Sequence, residues 1–168
     1  MSKIAIIYGS STDNTKSVAE SIAKKLSGEE VTLLDVSKLK AGDLDAYPNL
    51  ILGTSTWGLG DLQDDWDGYL STLEKTNVSG KTIAFFGLGD SGSYSDTFVD
   101  GMGILYEAVK DKGAKLIGKF PVDSYDFDES RAVVDGEFVG VAIDEDNESD
   151  ETENRLNAWI ESIKPLFS

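Results

Sequence analysis

The sequence predicts an α/β fold: an open, doubly wound sheet of five parallel strands with helices on both faces. Two observations predict it. Short apolar runs without polar alternation recur along the chain, as strands buried on both faces require. Between them lie segments with apolar residues three and four positions apart, the spacing of helices that cover such a sheet. Strand and helix taking turns implies parallel pairing through right-handed crossovers, with ligands bound outside the carboxyl ends of the strands.

The strand runs are Ile4 to Tyr8, Val31 to Val36, Leu50 to Gly53, Thr82 to Phe86 and Leu116 to Phe120, rich in β-branched and aromatic residues. Helical spacing carries Val18, Ile22 and Leu26, then Trp66, Tyr69, Leu70 and Leu73. It returns at Phe98, Met102, Leu105 and Val109, and last at Leu156, Trp159, Ile160 and Ile163. Thr12 or Asn14 can cap the first helix, and Asp150 or Thr152 the last. Residues 122–137, "VDSYDFDESRAVVDGE", follow the fifth run, and a new apolar run begins at Phe138, so the last strand is expected to be split by an inserted loop.

At 168 residues the chain is sized for a single domain, 1–168. No stretch approaches the ~20 apolar residues of a membrane span, and the start "MSKIAIIYG" lacks a signal-peptide layout, so a cytoplasmic protein is expected. With no Cys and no His, disulfides, thiolate metal sites, cysteine nucleophiles and imidazole bases are excluded, and redox chemistry requires a borrowed cofactor. A net charge of −16 opposes nucleic acid and anionic membranes and favours basic partners.

The loop after the first strand, "YGSSTDNTKS", is rich in hydroxyls and amides. Free N–H groups at a helix N-terminus, with Ser10, Ser11, Thr12, Asn14 and Thr15 around them, suit a phosphate. A nucleoside-triphosphate loop would need Gly and Lys where Asn14 and Thr15 stand. Gly87, Gly89 and Gly92 have dinucleotide spacing but do not open a helix. A phosphorylated receiver would want acids where Tyr8 and Gly9 stand. The loops "TSTWGLGDL" and "GLGDSGSYSDTF" set Trp57 and Tyr94 among small residues at one edge of the sheet, as plates for a flat ligand, with Asp90 able to accept a hydrogen bond from a ring N–H.

These three motifs, in this order, make the chain resemble the flavodoxins, which carry flavin mononucleotide (FMN), and the split last strand resembles their long-chain subgroup. The resemblance implies strand order 2-1-3-4-5, of which flavodoxin is itself the usual illustration. It implies that Ser10, Ser11, Thr12, Asp13, Asn14 and Thr15 hold the phosphate, and that Trp57 and Tyr94 sandwich the ring. Thr56, Gly58 and Leu59 would line one side of the ring and Leu88, Gly89 and Asp90 its pyrimidine edge, with Thr97 and Asp146 near the ribityl chain. Asp13 stands where the family usually has Gly, in a position that permits a left-handed backbone. The segment "SGS" before Tyr94 is smaller and more polar than usual.

The implied function is low-potential, one-electron transfer between redox proteins, without a substrate of its own. The chain would cycle mainly between neutral semiquinone and anionic hydroquinone, the peptide joining Gly58 to Leu59 flipping to support the former. Expected partners carry basic docking surfaces, such as NADPH-dependent flavoprotein reductases or low-potential oxidoreductases, met by a monomer. Asp61, Asp64, Asp65 and Asp67, and Asp123, Asp126, Asp128 and Glu129 of the inserted loop, would face them. The residues alone leave two alternatives: an FMN-dependent reductase of quinones or nitro compounds, and a non-redox module that binds a phosphate ligand.

Overall fold

The sheet is built from the apolar runs. The computed structural model describes residues 2–9, 13–57 and 60–167. Strand β1 (Lys3–Tyr8) lies inside the sheet between parallel neighbours β2 (Glu30–Asp35), at the edge, and β3 (Asn49–Trp57), so that Ile6 stands opposite Leu33 on one side and Ile51 on the other. Strand β5 (Thr82–Leu88) pairs with β3, and β10 (Val141–Ile143) with the end of β5, giving the order β10-β5-β3-β1-β2. This is the expected doubly wound order.

The strands lack polar alternation because both faces are covered. Ala5, Ile7, Leu50, Leu52 and Phe85 point into a core closed by helices α2 (Asp64–Lys75) and α3 (Asp100–Val109). Ile4, Ile6, Ile51, Ala84 and Phe86 point the other way, under α1 (Asn14–Lys25) and α4 (Thr152–Ile163). Trp66 and Trp159 are fully buried, one in each core. Burying a large side chain stabilises the fold by roughly 1.5–3 kcal/mol, so these two rings fix their helices on the sheet.

The fifth strand departs from the expected run at 116–120. Only Lys115–Leu116 (β6) joins the sheet, beside the start of β5. Gly118 then takes a left-handed φ of 87°, and its carbonyl accepts a 2.9 Å hydrogen bond from Trp159 Nε1, so the chain turns away. Phe120–Pro121 (β7), Val133–Val134 (β8) and Glu137–Phe138 (β9) form a separate antiparallel sheet of order β7-β9-β8. The chain returns to the same edge of β5 as β10, so the last strand is split, as expected.

The helix ends depart as well. Asn14 is the first residue of α1 and not its cap: Asp13 holds that place with no side-chain hydrogen bond, and the other expected cap, Thr12, lies outside the described residues. A short 3-10 turn, Ser149–Glu151, leads into α4, whose cap position is Glu151, so neither Asp150 nor Thr152 caps it by its side chain. Helix α3 starts at Asp100, two positions after Phe98. Phe98 instead packs with Tyr125, Phe127 and Phe138 of the insertion. Asp61–Leu62 (β4) folds back antiparallel on Thr56 and Trp57, a hairpin that no apolar run announces. No helix among the described residues is long and apolar enough to cross a membrane.

Candidate functional site

A cleft opens beyond the carboxyl ends of β1, β3 and β5. It is lined by Asn14 and Thr15, by Ser55, Thr56 and Trp57, by Leu88, Gly89, Asp90 and Tyr94, and by Glu145 and Asp146. Four loops that are distant in sequence therefore converge at one edge of the sheet.

The first end of the cleft is the start of α1. Its first turn holds no acidic side chain, and Asp13 before it makes no side-chain cap, so the N–H groups of that turn are offered outward. Thr15 is buried, yet lines the cleft. Asp13 adopts φ 66° and ψ −11°, the left-handed conformation that the family's usual Gly adopts freely. Ser55 Oγ, also on the wall, is buried without a hydrogen-bond partner among the described residues. This end offers backbone donors and the unmet Ser55 hydroxyl, and no cation lines the cleft among the described residues.

The middle is aromatic. Trp57 and Tyr94 are each 41 % exposed, a large area of ring left to solvent at the mouth of one cleft. The Tyr94 loop is set by the end of β5: Gly89 N–H donates to Ile143 O at 3.0 Å, and Tyr94 N–H closes a turn on Asp90 O at 2.8 Å. Trp57 is held by the β4 hairpin, and Thr56 Oγ1 accepts from Gly101 N–H at 2.8 Å, which ties the strand end to α3.

The far end is acidic. Asp90, Asp144 and Asp146 bring carboxylate oxygens within 4.8 Å of one another. Asp144 is fully buried, and accepts from Ser91 N–H at 3.1 Å, from the Ser91 hydroxyl, and from Asn147 N–H at 3.1 Å. Asp90 accepts from Ser93 N–H at 2.9 Å and from Asn147 Nδ2 at 2.8 Å. Burial pushes the Asp90 carboxyl up, but the bonds from Asn147 and then Ser93 outweigh it and hold it below its ordinary value. Asp146 receives no such donors. Burial first, and then the charges of Asp90 and Asp144, push it up.

Of the residues expected at this site, Asn14, Thr15, Thr56, Trp57, Leu88, Gly89, Asp90, Tyr94 and Asp146 line the cleft together. Asp13 stands at its edge as the cap of α1. Thr97 does not line it: its side chain packs beside Gly60, with its hydroxyl buried and without a partner among the described residues. Ser10, Ser11, Thr12, Gly58 and Leu59, and with the last two the expected peptide flip, lie outside the described residues. Two lining residues were not expected. Ser55 is a single small polar residue within β3 and Glu145 sits in an acidic run suited to capping, so neither stood out locally.

Residues 6–159 match the family model described as "Flavodoxin". The chain is 45 % identical to a flavodoxin of Synechococcus elongatus over 168 residues, covering 99 % of each chain. It is 44 % identical to flavodoxin 1 of Azotobacter vinelandii, covering 99 % of this chain and 98 % of that one. A solved Fusobacterium nucleatum flavodoxin, bound to flavin mononucleotide, superposes with a TM-score of 0.95 at 30 % identity, with all of both chains covered. By the family model, by identity across its whole length and by its sheet order, this chain belongs to the flavodoxin family.

Proposed function

We propose that this chain is a long-chain flavodoxin: a cytoplasmic, monomeric single domain over residues 1–168 that holds FMN noncovalently and passes single electrons between redox proteins, converting no substrate of its own. One observation carries the reading: two half-exposed aromatic rings, Trp57 and Tyr94, stand at a cleft with a donor-rich helix start at one end and carboxylates at the other. The residues present fit FMN, since the unmet Ser55 hydroxyl and the open first turn of α1 supply donors, and the rings supply flat faces.

FMN supplies the one-electron chemistry that no side chain of a sequence without His or Cys provides. The chain's residues bind it and bias it. The start of α1, with Asn14 and Thr15 and, in sequence, Ser10, Ser11 and Thr12 before it, would hold the phosphate through N–H and hydroxyl donors. Trp57 and Tyr94 would stack on the ring and exclude water from its faces. Thr56, Leu88 and Gly89, with Gly58 and Leu59 of the same loop sequence, would border the ring, and Asp90 would accept from its N–H. Asp146, with Asp90, makes added negative charge costly at that end. At an effective dielectric near 20, a carboxylate ~10 Å from such a charge opposes it by about 1.7 kcal/mol before salt screens it, which lowers the potential of the second electron.

Partners meet an acidic rim. Asp64, Asp65 and Asp67 sit in the first turn of α2, where they also suit the helix dipole, and Asp61 precedes them. Asp123, Asp126, Asp128 and Glu129 are exposed on the insertion. Such a surface steers basic partners such as NADPH-dependent flavoprotein reductases or low-potential oxidoreductases.

The visible spectrum of the purified protein, and titration of the apoprotein with FMN followed by flavin fluorescence, test this. A yellow protein that quenches and retains FMN is expected. A colourless protein that ignores added FMN would overturn the function. Unaided oxidation of NADPH with reduction of a quinone would replace the carrier with a reductase.

A further inference from the structure

We propose that Asn147 is a positioning residue for ligand recognition: its amide fixes the Asp90 carboxylate so that one oxygen is held and the other is presented to the cleft. The inference rests on the FMN reading above. Asn147 Nδ2 donates to Asp90 Oδ1 at 2.8 Å, and Ser93 N–H reaches the same oxygen at 2.9 Å. Both of these bonds fall on Oδ1; the Ser93 hydroxyl and the Gly92 N–H also act on the carboxylate, and Oδ2 is the oxygen that would accept from a ligand N–H. Asp90 lines the cleft and Asn147 does not, so Asn147 acts on a ligand only through Asp90.

Asn147 is itself anchored to something rigid. Its Nδ2 also lies 3.0 and 3.2 Å from the two oxygens of Asp144, and its N–H donates to Asp144 Oδ1 at 3.1 Å. Asp144 is fully buried and gripped from the other loop by Ser91. A Cβ at Gly92 would lie 2.6 Å from Asn147 Oδ1, so the Asp90 loop closes on Asn147 only because Gly stands there. The charge pattern explains why an amide is needed. In "DEDNESD", Asn147 is the neutral donor in a run of acids, and it bridges two carboxylates that would otherwise repel each other. Asp146 faces the same cluster. Asp126, Asp128 and Glu148 line the adjoining polar cleft with Asn147, and among the described residues no cation lines either cleft.

A double-mutant cycle on FMN affinity tests the inference, with the urea midpoint of each apoprotein as a second readout. Asn147→Ala should weaken FMN about fivefold and Asp90→Ala about tenfold, while the double variant should be no weaker than Asp90→Ala alone. Asn147→Asp keeps the size but loses the donor and adds a charge. It should weaken FMN about tenfold relative to the parent at pH 8, with the gap narrowing at least threefold at pH 5, where clustered carboxyls share protons. Repulsion by the added carboxylate acts while the cluster is ionised and fades as pH falls, whereas packing alone would not move with pH. Independent penalties in the cycle, or an Asn147→Asp gap equal at both pH values, would overturn the role of Asn147. A parent protein that binds no FMN would instead overturn the function on which it rests.

Discussion

Two loop regions meet at this sheet edge and treat charge in opposite ways. At the cleft, Asp90, Asp144 and Asp146 crowd together with only neutral donors, Asn147 and the serines, to hold them. In the insertion the acids Asp123, Asp126, Asp128 and Glu129 stay in solvent, while a cation is drawn inside. Arg155 of α4 is 4 % exposed: it donates to Ser124 O at 3.0 Å, pairs with Glu148 at 3.0 Å, and lies 3.8 Å over the Tyr125 ring. Tyr125 in turn donates to Ala142 O at 2.6 Å and packs edge-on against Phe138. The insertion thus uses its buried charge for rigidity, whereas the cleft leaves like charges near one another, where they bias a ligand. Variants in the two regions should therefore separate stability from binding.

The largest expected effect is Arg155→Ala. Emptying that position removes a buried guanidinium from its bond to Ser124 O, from the Tyr125 ring and from the partly exposed Glu148, and losing a buried charged donor together with its packed stem costs about 2–3 kcal/mol. The urea midpoint of the apoprotein should fall accordingly, while FMN affinity changes less than about threefold. An equal loss in both would erase the distinction between the regions. Trp57→Ala should behave in the reverse sense. Its ring is 41 % exposed, so stability should hardly move, while FMN binding weakens by ~1–3 kcal/mol through lost stacking. Unchanged affinity by fluorescence titration would put the flavin elsewhere.

The same contrast governs what the sequence discloses. The cleft was largely legible because its parts are local: hydroxyls after one strand, Trp57 after another, Asp90 and Tyr94 after a third. Fold topology then brings them together, which is why strand order and site could be read at once. The insertion was legible only as an interruption. Its three-stranded sheet uses two-residue strands too short for periodicity, and its hub, Arg155, looks in the sequence like any surface base of a helix. Helix starts failed for a related reason. Capping residues were available at Thr12, Asn14, Asp150 and Thr152, but the left-handed Asp13 and the 3-10 turn before α4 decide those ends. Thr97, expected near the ribityl chain, lies beside Gly60 and outside the lining of the cleft, which nothing local shows.

A smaller effect is expected at the other end of the cleft. Asp13 holds φ 66° at the cap of α1, a conformation Gly takes without the Cβ penalty, although Gly also gains freedom in the unfolded chain. These two terms oppose each other in stability. The carboxylate beside a phosphate has no such offset, so Asp13→Gly should tighten FMN by about 1 kcal/mol and leave riboflavin, which lacks the phosphate, unchanged. Isothermal titration with both ligands separates the cases, and equal gains would place this side chain outside the phosphate site.

The smallest effect probes the crowded acids directly. The Asp146 carboxyl is pushed up by burial first, and then by Asp90 and Asp144, so its folded pKa lies above its unfolded one. The charged form is therefore disfavoured in the folded protein. The penalty is fully present above the folded pKa, and it disappears as pH falls below the unfolded value, near 4 for Asp. Asp146→Asn should raise the urea midpoint of the apoprotein at pH 7 and lose that gain by about pH 3. Because Asp146 is exposed and solvent screens its neighbours, the gain should stay below about 0.5 kcal/mol. The same change should raise the potential of the second electron, since one negative charge leaves the acidic end of the cleft. A midpoint shift that persists at pH 3 would mean that the introduced amide gains from a new hydrogen bond and not from relieved repulsion, and the cleft would then lose its character as a cluster of opposed charges.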